Sequence, residues 1–323
     1  MPHGDCGDAS LFRGAGPHVT PSVLGSALTA IVERVQELDA RFLVPALALQ
    51  LATLVLRAIA WRNILTCACR RPIPIFTVVC AYATGVALNG FLPARGGEAA
   101  KVGLVRARVP GSSLPAIAGS LGVICLLDGA IAASLVGTLW STGAIPSLPL
   151  PALPDGRQLT IVLAAVVACG ALLVAVAAPR FSFRLRPILW SALDGLRILR
   201  SPWRLAFTVL PFLLGAWACR VIAIFLALQA FHIHAGLATA TLVVVLSGAS
   251  TAVPVPGGGG SQQLFATYAL RGSVPAAGAM SFSFGVQLGV TALNTAVGIA
   301  AAMVLFRTLR PVTALRAARA RPI

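Results

Sequence analysis

Ionised side chains are scarce in this chain, and acidic ones are the scarcest. Only 11% of the 323 residues are charged, nine of them acids, where an average soluble domain has about 25% charged residues. Hydrophobic residues make up 58%, against about 45–50% apolar usage in soluble domains, so water is excluded as the main solvent. Residues 72–94, 159–178, 235–270 and 273–306 contain no ionised side chain. Each run reaches the ~20 residues a helix needs to cross ~30 Å of hydrocarbon.

Other absences close further classes. The seven cysteines (Cys6, Cys67, Cys69, Cys80, Cys125, Cys169 and Cys219) are odd in number and lie mostly inside apolar runs. They read as small packed hydrophobes rather than a disulfide framework. Cys67 and Cys69 form a Cys-x-Cys, but no second Cys or His pair follows at zinc-ligand spacing, so no metal is expected. Gly257 to Gly260 runs into Ser261-Gln262-Gln263 without the Gly-Lys-Ser/Thr that ends a Walker A loop, and no nucleotide cofactor is expected. His232 and His234 are spaced i, i+2, which suits neither one helix face nor a complete metal site, and they read as interfacial loop residues. Residues 1–40 lack an apolar run behind a basic stretch, so a cleaved leader is not expected. Instead Leu24, Leu28, Ile31, Val35 and Leu38 are spaced as on an amphipathic, interfacial helix.

The charge that is present is positive, with 25 Lys and Arg against nine acids and a net +16. Nucleic-acid binding is a second source of such a balance, but position argues against it. Bases cluster between apolar runs: Arg57 to Arg71, Arg95 to Arg108, Arg180 to Arg204, and Arg307 to Arg321. Cytoplasmic loops have this character, because Lys and Arg are retained on the inner side and face anionic lipid.

Apolar segments 43–61, 115–140, 159–178 and 205–231, and the last run to 306, read as spans. Residues 72–94 and 235–253 end instead on proline-glycine breakers. An internal repeat links the halves. Arg57-Ala58-Ile59-Ala60 recurs as Arg220-Val221-Ile222-Ala223, an offset of 220 − 57 = 163. Pro93-Ala94-Arg95-Gly96-Gly97 recurs as Pro254-Val255-Pro256-Gly257-Gly258, an offset of 254 − 93 = 161. Gly111-Ser112-Ser113-Leu114-Pro115 recurs in the same order as Gly272-Ser273-Val274-Pro275. If the two breaker segments are re-entrant hairpins, the basic clusters around residues 62–71, 95–108 and 180–204 and the tail all stay inside. The expected fold is therefore all-α, with about five full spans plus two re-entrant hairpins in an inverted repeat; the alternative is seven full spans. The organisation divides into 1–41 (interfacial helix), 42–140 (first repeat), 141–204 (extra span and basic linker), 205–306 (second repeat) and 307–323 (basic tail). Inverted repeats with broken helices are a common transporter design.

The breakers free backbone groups that hydrocarbon cannot satisfy, so they must face protein or a wet cavity. Arg95, Glu98 and Lys101 lie beside the first break, and Glu98 and Asp128 are the only acids between Asp39 and Asp155. A charge in the bilayer costs at least about 2.5–3.5 kcal/mol, so pairing or function is the default reading. Glu98 is alternatively a helix N-terminal carboxylate on the dipole. Asp128 is alternatively a purely structural partner of Arg57 or Arg220. Free N–H groups of the second break, around Gly257, Gly258 and Gly260, suit a phosphate.

Asn89-x-x-Leu92-Pro93-x-Arg95-x-Gly97-Glu98-x-x-Lys101, then Asp128, then Pro254-x-Pro256-Gly257-Gly258-x-Gly260 together resemble the membrane region of the lysylphosphatidylglycerol synthase and flippase family. The resemblance covers residues 20–306. It implies a multi-pass protein of the bacterial inner membrane, related to the flippase half of the multiple peptide resistance factor and to relatives linked with glycolipid or hopanoid handling. Three departures stand out: a span that often precedes the amphipathic helix is missing, Lys101 stands where Arg is usual, and Gln263 stands where Glu is usual. The expected function is non-enzymatic, a flippase or transporter of an anionic phospholipid or polyprenyl-linked (glyco)lipid. Arg57, Arg95, Lys101 and Arg220 would contact phosphate, while Glu98 and Asp128 would hold those bases or take protons. The alternatives are a membrane-bound lipid aminoacyltransferase, disfavoured because only residues 307–323 follow the membrane region, and an accessory subunit of a lipid-modifying enzyme. Membrane lipids are the expected partners, nucleic acid is not, and a homo-oligomer is compatible with the pattern.

Overall fold

Hydrocarbon offers a backbone no hydrogen-bonding partner but itself, so charge-free apolar stretches of this length fold as helices. The computed structural model describes residues 39–92, 96–109, 111–143, 197–250, 260–270 and 274–306. All the elements lie within the unit that begins at Ala40. In chain order the helices are α1 (Ala40–Cys69), α2 (Ile75–Asn89), α3 (Gly96–Arg108), α4 (Leu114–Ser141), α5 (Pro202–Thr208), α6 (Leu210–Ala230), α7 (Leu237–Ser250), α8 (Gly260–Ala269) and α9 (Ala276–Phe306). A single 3-10 turn, Arg197–Arg200, precedes α5. Among the described residues there is no strand.

Among the described residues, four helical stretches are long and apolar enough to cross a membrane: Ala40–Cys69, Leu114–Ser141, Pro202–Ala230 and Gly278–Leu305. The expected span at 159–178 and the interfacial helix at 20–38 lie outside the described residues. Two expected bounds change. The first span, expected at 43–61, continues to Cys69, because the Arg62 guanidinium leaves the helix axis and donates to the Ile73 carbonyl at 2.8 Å, which satisfies its charge beyond the apolar stretch. The span expected at 205–231 begins at Pro202 and is distorted at Val209, between α5 and α6. Pro211 follows at the start of α6, and a proline there can begin a helix but cannot continue one.

The breakers do what their chemistry requires. α2 has 15 residues and α7 has 14, about 21–23 Å at 1.5 Å per residue, too short for ~30 Å of hydrocarbon. α3 packs back on α2, and α8 on α7. In the first hairpin Asn89 meets Glu98 and Tyr82 meets Lys101, so residue numbers fall on one helix as they rise on the other. The two helices are antiparallel. Local signals complete the ends: Ser113 caps α4, accepting from the Ala116 N–H at 3.3 Å with a proline in the first turn. α6 ends with His232 at φ 56°, while the Ile233 N–H reaches back to the Leu228 carbonyl at 2.9 Å. That is a left-handed helix stop, and it places His232 in a turn, as expected for a loop residue.

The duplication is visible in the packing. α1–α2, α2–α3 and α3–α4 pack in sequence, and α6–α7, α7–α8 and α8–α9 repeat the series. Across the halves α1 packs on α6, while α2 meets α9 and α7 meets α4, which are equivalent pairs under exchange of the repeats. Thr53 Oγ1 donates to the carbonyl of Ala216, a position displaced from it by the repeat offset, so each repeat's first helix touches the other's at matching positions. Leu56 meets Gly215 and the Asn63 amide donates to the Thr208 carbonyl at 2.6 Å. Numbers rise along α1 as they fall along α5 and α6, so these helices are antiparallel and the repeats are inverted. The core holds Trp61, Ile64, Leu65, Val78 and Ile117. Phe76, Trp203, Phe207, Phe284 and Leu288 stay exposed, an apolar exterior suited to hydrocarbon.

Candidate functional site

Where the two repeats meet, polar side chains line up on helices that are otherwise apolar. Gln50, Thr53 and Arg57 lie at i, i+3 and i+7 of α1, and Gln287, Thr291 and Asn294 at i, i+4 and i+7 of α9. Each set makes one helix face. With Tyr82 and Asn89 from α2 and Arg220 from α6, these faces enclose a cavity of about 280 Å³. A polar cavity of that size holds several waters at about 30 Å³ each, or a small headgroup.

The arginines of the repeat are at equivalent positions but have different partners. Arg57 Nη2 donates to Asp128 Oδ1 at 2.7 Å, and the side chains are 19% and 21% exposed. Trp217 Nε1 donates to the same oxygen at 2.9 Å. Of the two partners expected for Asp128, the structure therefore selects Arg57. Arg220 is half-buried and lies within electrostatic reach of Arg57, Asp128 and Tyr82. It makes no salt bridge or hydrogen bond with the described residues, although it lines the cavity.

A second cluster holds the hairpin closed. Lys101 is only 3% exposed; its ammonium is 2.8 Å from Glu98 Oε1 and 4.1 Å from the centre of the Tyr82 ring. The same Glu98 oxygen accepts from Asn89 Nδ2 at 3.1 Å. Glu98 sits in the first turn of α3, so the dipole and ion-pair readings both apply to it. This geometry needs glycine. A Cβ on Gly97 would overlap the Gly85 carbonyl, and one on Gly85 would overlap the Lys101 stem. Asn89 Oδ1 is buried without a partner among the described residues. Lys101 and Glu98 are not part of the cavity wall, whereas Asn89 is.

Of the residues singled out from sequence, Arg57, Arg220 and Asn89 thus converge on one cavity, with Asp128 behind Arg57. Gly97, Glu98 and Lys101 form the neighbouring hairpin lock. Gln263 is 4% exposed on α8. Its Oε1 has no partner among the described residues, and it does not line the cavity. Gly260 opens α8. Pro93, Arg95, Pro254, Pro256, Gly257 and Gly258 lie outside the described residues. Sequence reasoning missed Tyr82 and Trp217, for which spacing gives no signal, and also Gln287, Thr291 and Asn294, for which it does. Among the described residues no group of His, Cys, Asp or Glu could hold a metal.

No curated protein and no solved structure matches the chain. Residues 19–298 match the family described as the lysylphosphatidylglycerol synthase TM region. The match takes in the first repeat and most of the second, with the Arg57–Asp128 pair and the hairpin lock, and the chain belongs to that family of membrane proteins.

Proposed function

We propose that the chain is a flippase that moves an anionic phospholipid or a polyprenyl-linked (glyco)lipid between leaflets of the bacterial inner membrane. The observation that carries this reading is the polar cavity at the meeting of two inverted repeats, with Arg220 on its wall and no carboxylate of the described residues bonded to that arginine. A phosphate cannot enter hydrocarbon bare, and a guanidinium in a cavity replaces part of its hydration. Inverted repeats supply the movement, because rocking one against the other exchanges the side to which a central cavity opens. The first hairpin supplies part of the wall, through α2. The Glu98–Lys101 lock fixes α3 against α2, so that the first hairpin moves as a unit.

The reading is non-enzymatic, with acyl chains left in lipid while the headgroup crosses through the cavity. Reconstitution of the full chain into liposomes with fluorescent lipids on one leaflet tests it. Accelerated exposure of an anionic lipid, relative to protein-free vesicles, is the expected result. No acceleration for any anionic or polyprenyl-phosphate lipid would refute it in favour of an accessory or lipid-modifying role.

A further inference from the structure

We propose that the cavity selects a headgroup carrying a single phosphodiester and rejects one that carries a free ammonium; this rests on the flippase reading for its consequence, but not for the binding chemistry. The first observation is a charge count. Arg57 and Arg220 are two cations facing one cavity, and among the described residues the one anion beside them is Asp128. Its Oδ1 already accepts from both Arg57 and Trp217. Glu98 and Lys101 neutralise each other in the hairpin lock. One positive charge is left over, and it sits on Arg220. An uncompensated charge within the membrane requires a counter-charge or a wet cavity. A phosphodiester supplies a single negative charge and leaves the site neutral, whereas a diphosphate would reverse the imbalance.

The second observation is what the wall lacks. No Asp or Glu of the described residues lines the cavity; the remaining polar wall is neutral, with Asn89, Gln287, Thr291 and Asn294 among its residues. An ammonium entering there would find no carboxylate and would face Arg220. Amides and hydroxyls of this kind pair instead with hydroxyl groups, being both donors and acceptors. The ligand class is therefore a monoanionic phosphodiester with a hydroxylated headgroup, and not the lysyl-esterified lipid in the family's description.

The test uses the full chain in vesicles, each with one trace fluorescent lipid: phosphatidylglycerol, its lysyl ester, phosphatidylcholine, or a polyprenyl diphosphate. Translocation is read by quenching of the outer leaflet. Binding is read separately, as thermal stabilisation in detergent by short-chain forms of the same headgroups. Phosphatidylglycerol should move at least about tenfold faster than the lysyl ester, the difference expected from one charge-assisted contact, and should alone stabilise the protein. Arg220→Gln should remove the preference and Arg220→Lys should keep it. The wild-type comparison decides the matter even if the Gln variant does not fold. Equal or faster movement of the lysyl ester or the diphosphate overturns the ligand class while leaving transport standing. Selective stabilisation by phosphatidylglycerol, without translocation of any lipid, upholds the ligand class and overturns the flippase reading. No stabilisation by phosphatidylglycerol overturns the proposal.

Discussion

Replacing Asp128 with Asn removes the counter-charge 2.7 Å from Arg57 while leaving an oxygen that can still accept from Trp217 Nε1. Breaking a fully buried pair costs about 3–5 kcal/mol. Here both side chains keep about a fifth of their exposure, and a lone arginine in a membrane helix costs about 2.5–3.5 kcal/mol. The expected loss is therefore about 2–3 kcal/mol, or roughly 30- to 140-fold in the folded ratio. Adding Arg57→Gln removes the orphaned cation and lets two neutral amides pair, so Arg57→Gln with Asp128→Asn should recover to within about 1 kcal/mol of wild type. Adding Arg220→Gln instead leaves Arg57 unpaired and should recover less. Unfolding in mixed detergent–SDS micelles, followed by tryptophan fluorescence, measures all three, and liposome assays should show that none translocates lipid normally. If the Arg57 double variant is as unstable as Asp128→Asn alone, the Arg57–Asp128 pair is not what stabilises these helices. If the Arg57 double variant transports normally, the pair is purely structural; if the Arg220 double variant does, the headgroup site lies elsewhere.

Trp217→Phe deletes one donor to Asp128 and should cost about 1–2 kcal/mol, the value of a partly exposed hydrogen bond to a charged acceptor; a loss under about 0.5 kcal/mol in the same unfolding assay would mean that Arg57 alone satisfies the carboxylate. Gly97→Val places a side chain against the Gly85 carbonyl and Asn89 Oδ1, and backbone cannot yield as a side-chain tip does. A loss of about 3 kcal/mol or more, seen as lower melting temperature and poor yield in detergent, is expected, and a normally stable variant would contradict the close approach of α3 to α2. Cysteine accessibility in intact cells should label Gly111→Cys from the cytoplasmic side and Gly272→Cys from the outside, because the positive-inside rule and the inverted order of the helices fix both. Cytoplasmic labelling at Gly272→Cys would refute the topology.

The spans and hairpins were legible in the sequence because their causes are local. A charge-free run of helix length and a proline-glycine break each carry their meaning without a partner. The bounds that moved did so for reasons that are not local, as with Arg62, whose tertiary contact at Ile73 extends α1. The cavity was half legible. Gln287, Thr291 and Asn294 share one face by spacing alone, but spacing cannot say that this face meets Arg57 and not lipid. The partner of Asp128 was undecidable, since Arg57 and Arg220 occupy matching positions in the repeat. Trp217 breaks the tie. It lies three residues before Arg220 on the same side of α6, and it takes the place beside Asp128 that Arg220 would otherwise have filled. The matching residue in α1 is Leu54, which donates no hydrogen bond from its side chain. The positions matching Asp128 in α9 are Gly289, Val290 and Thr291, with no acid among them. The backbone is thus near-symmetric while its charges are not. Exchanging the conformations of the two repeats would move a neutralised arginine to one side and an unpaired one to the other. On the flippase reading, the inward-open and outward-open forms would then bind a phosphate unequally, and a symmetric scaffold would gain a preferred side for loading its lipid.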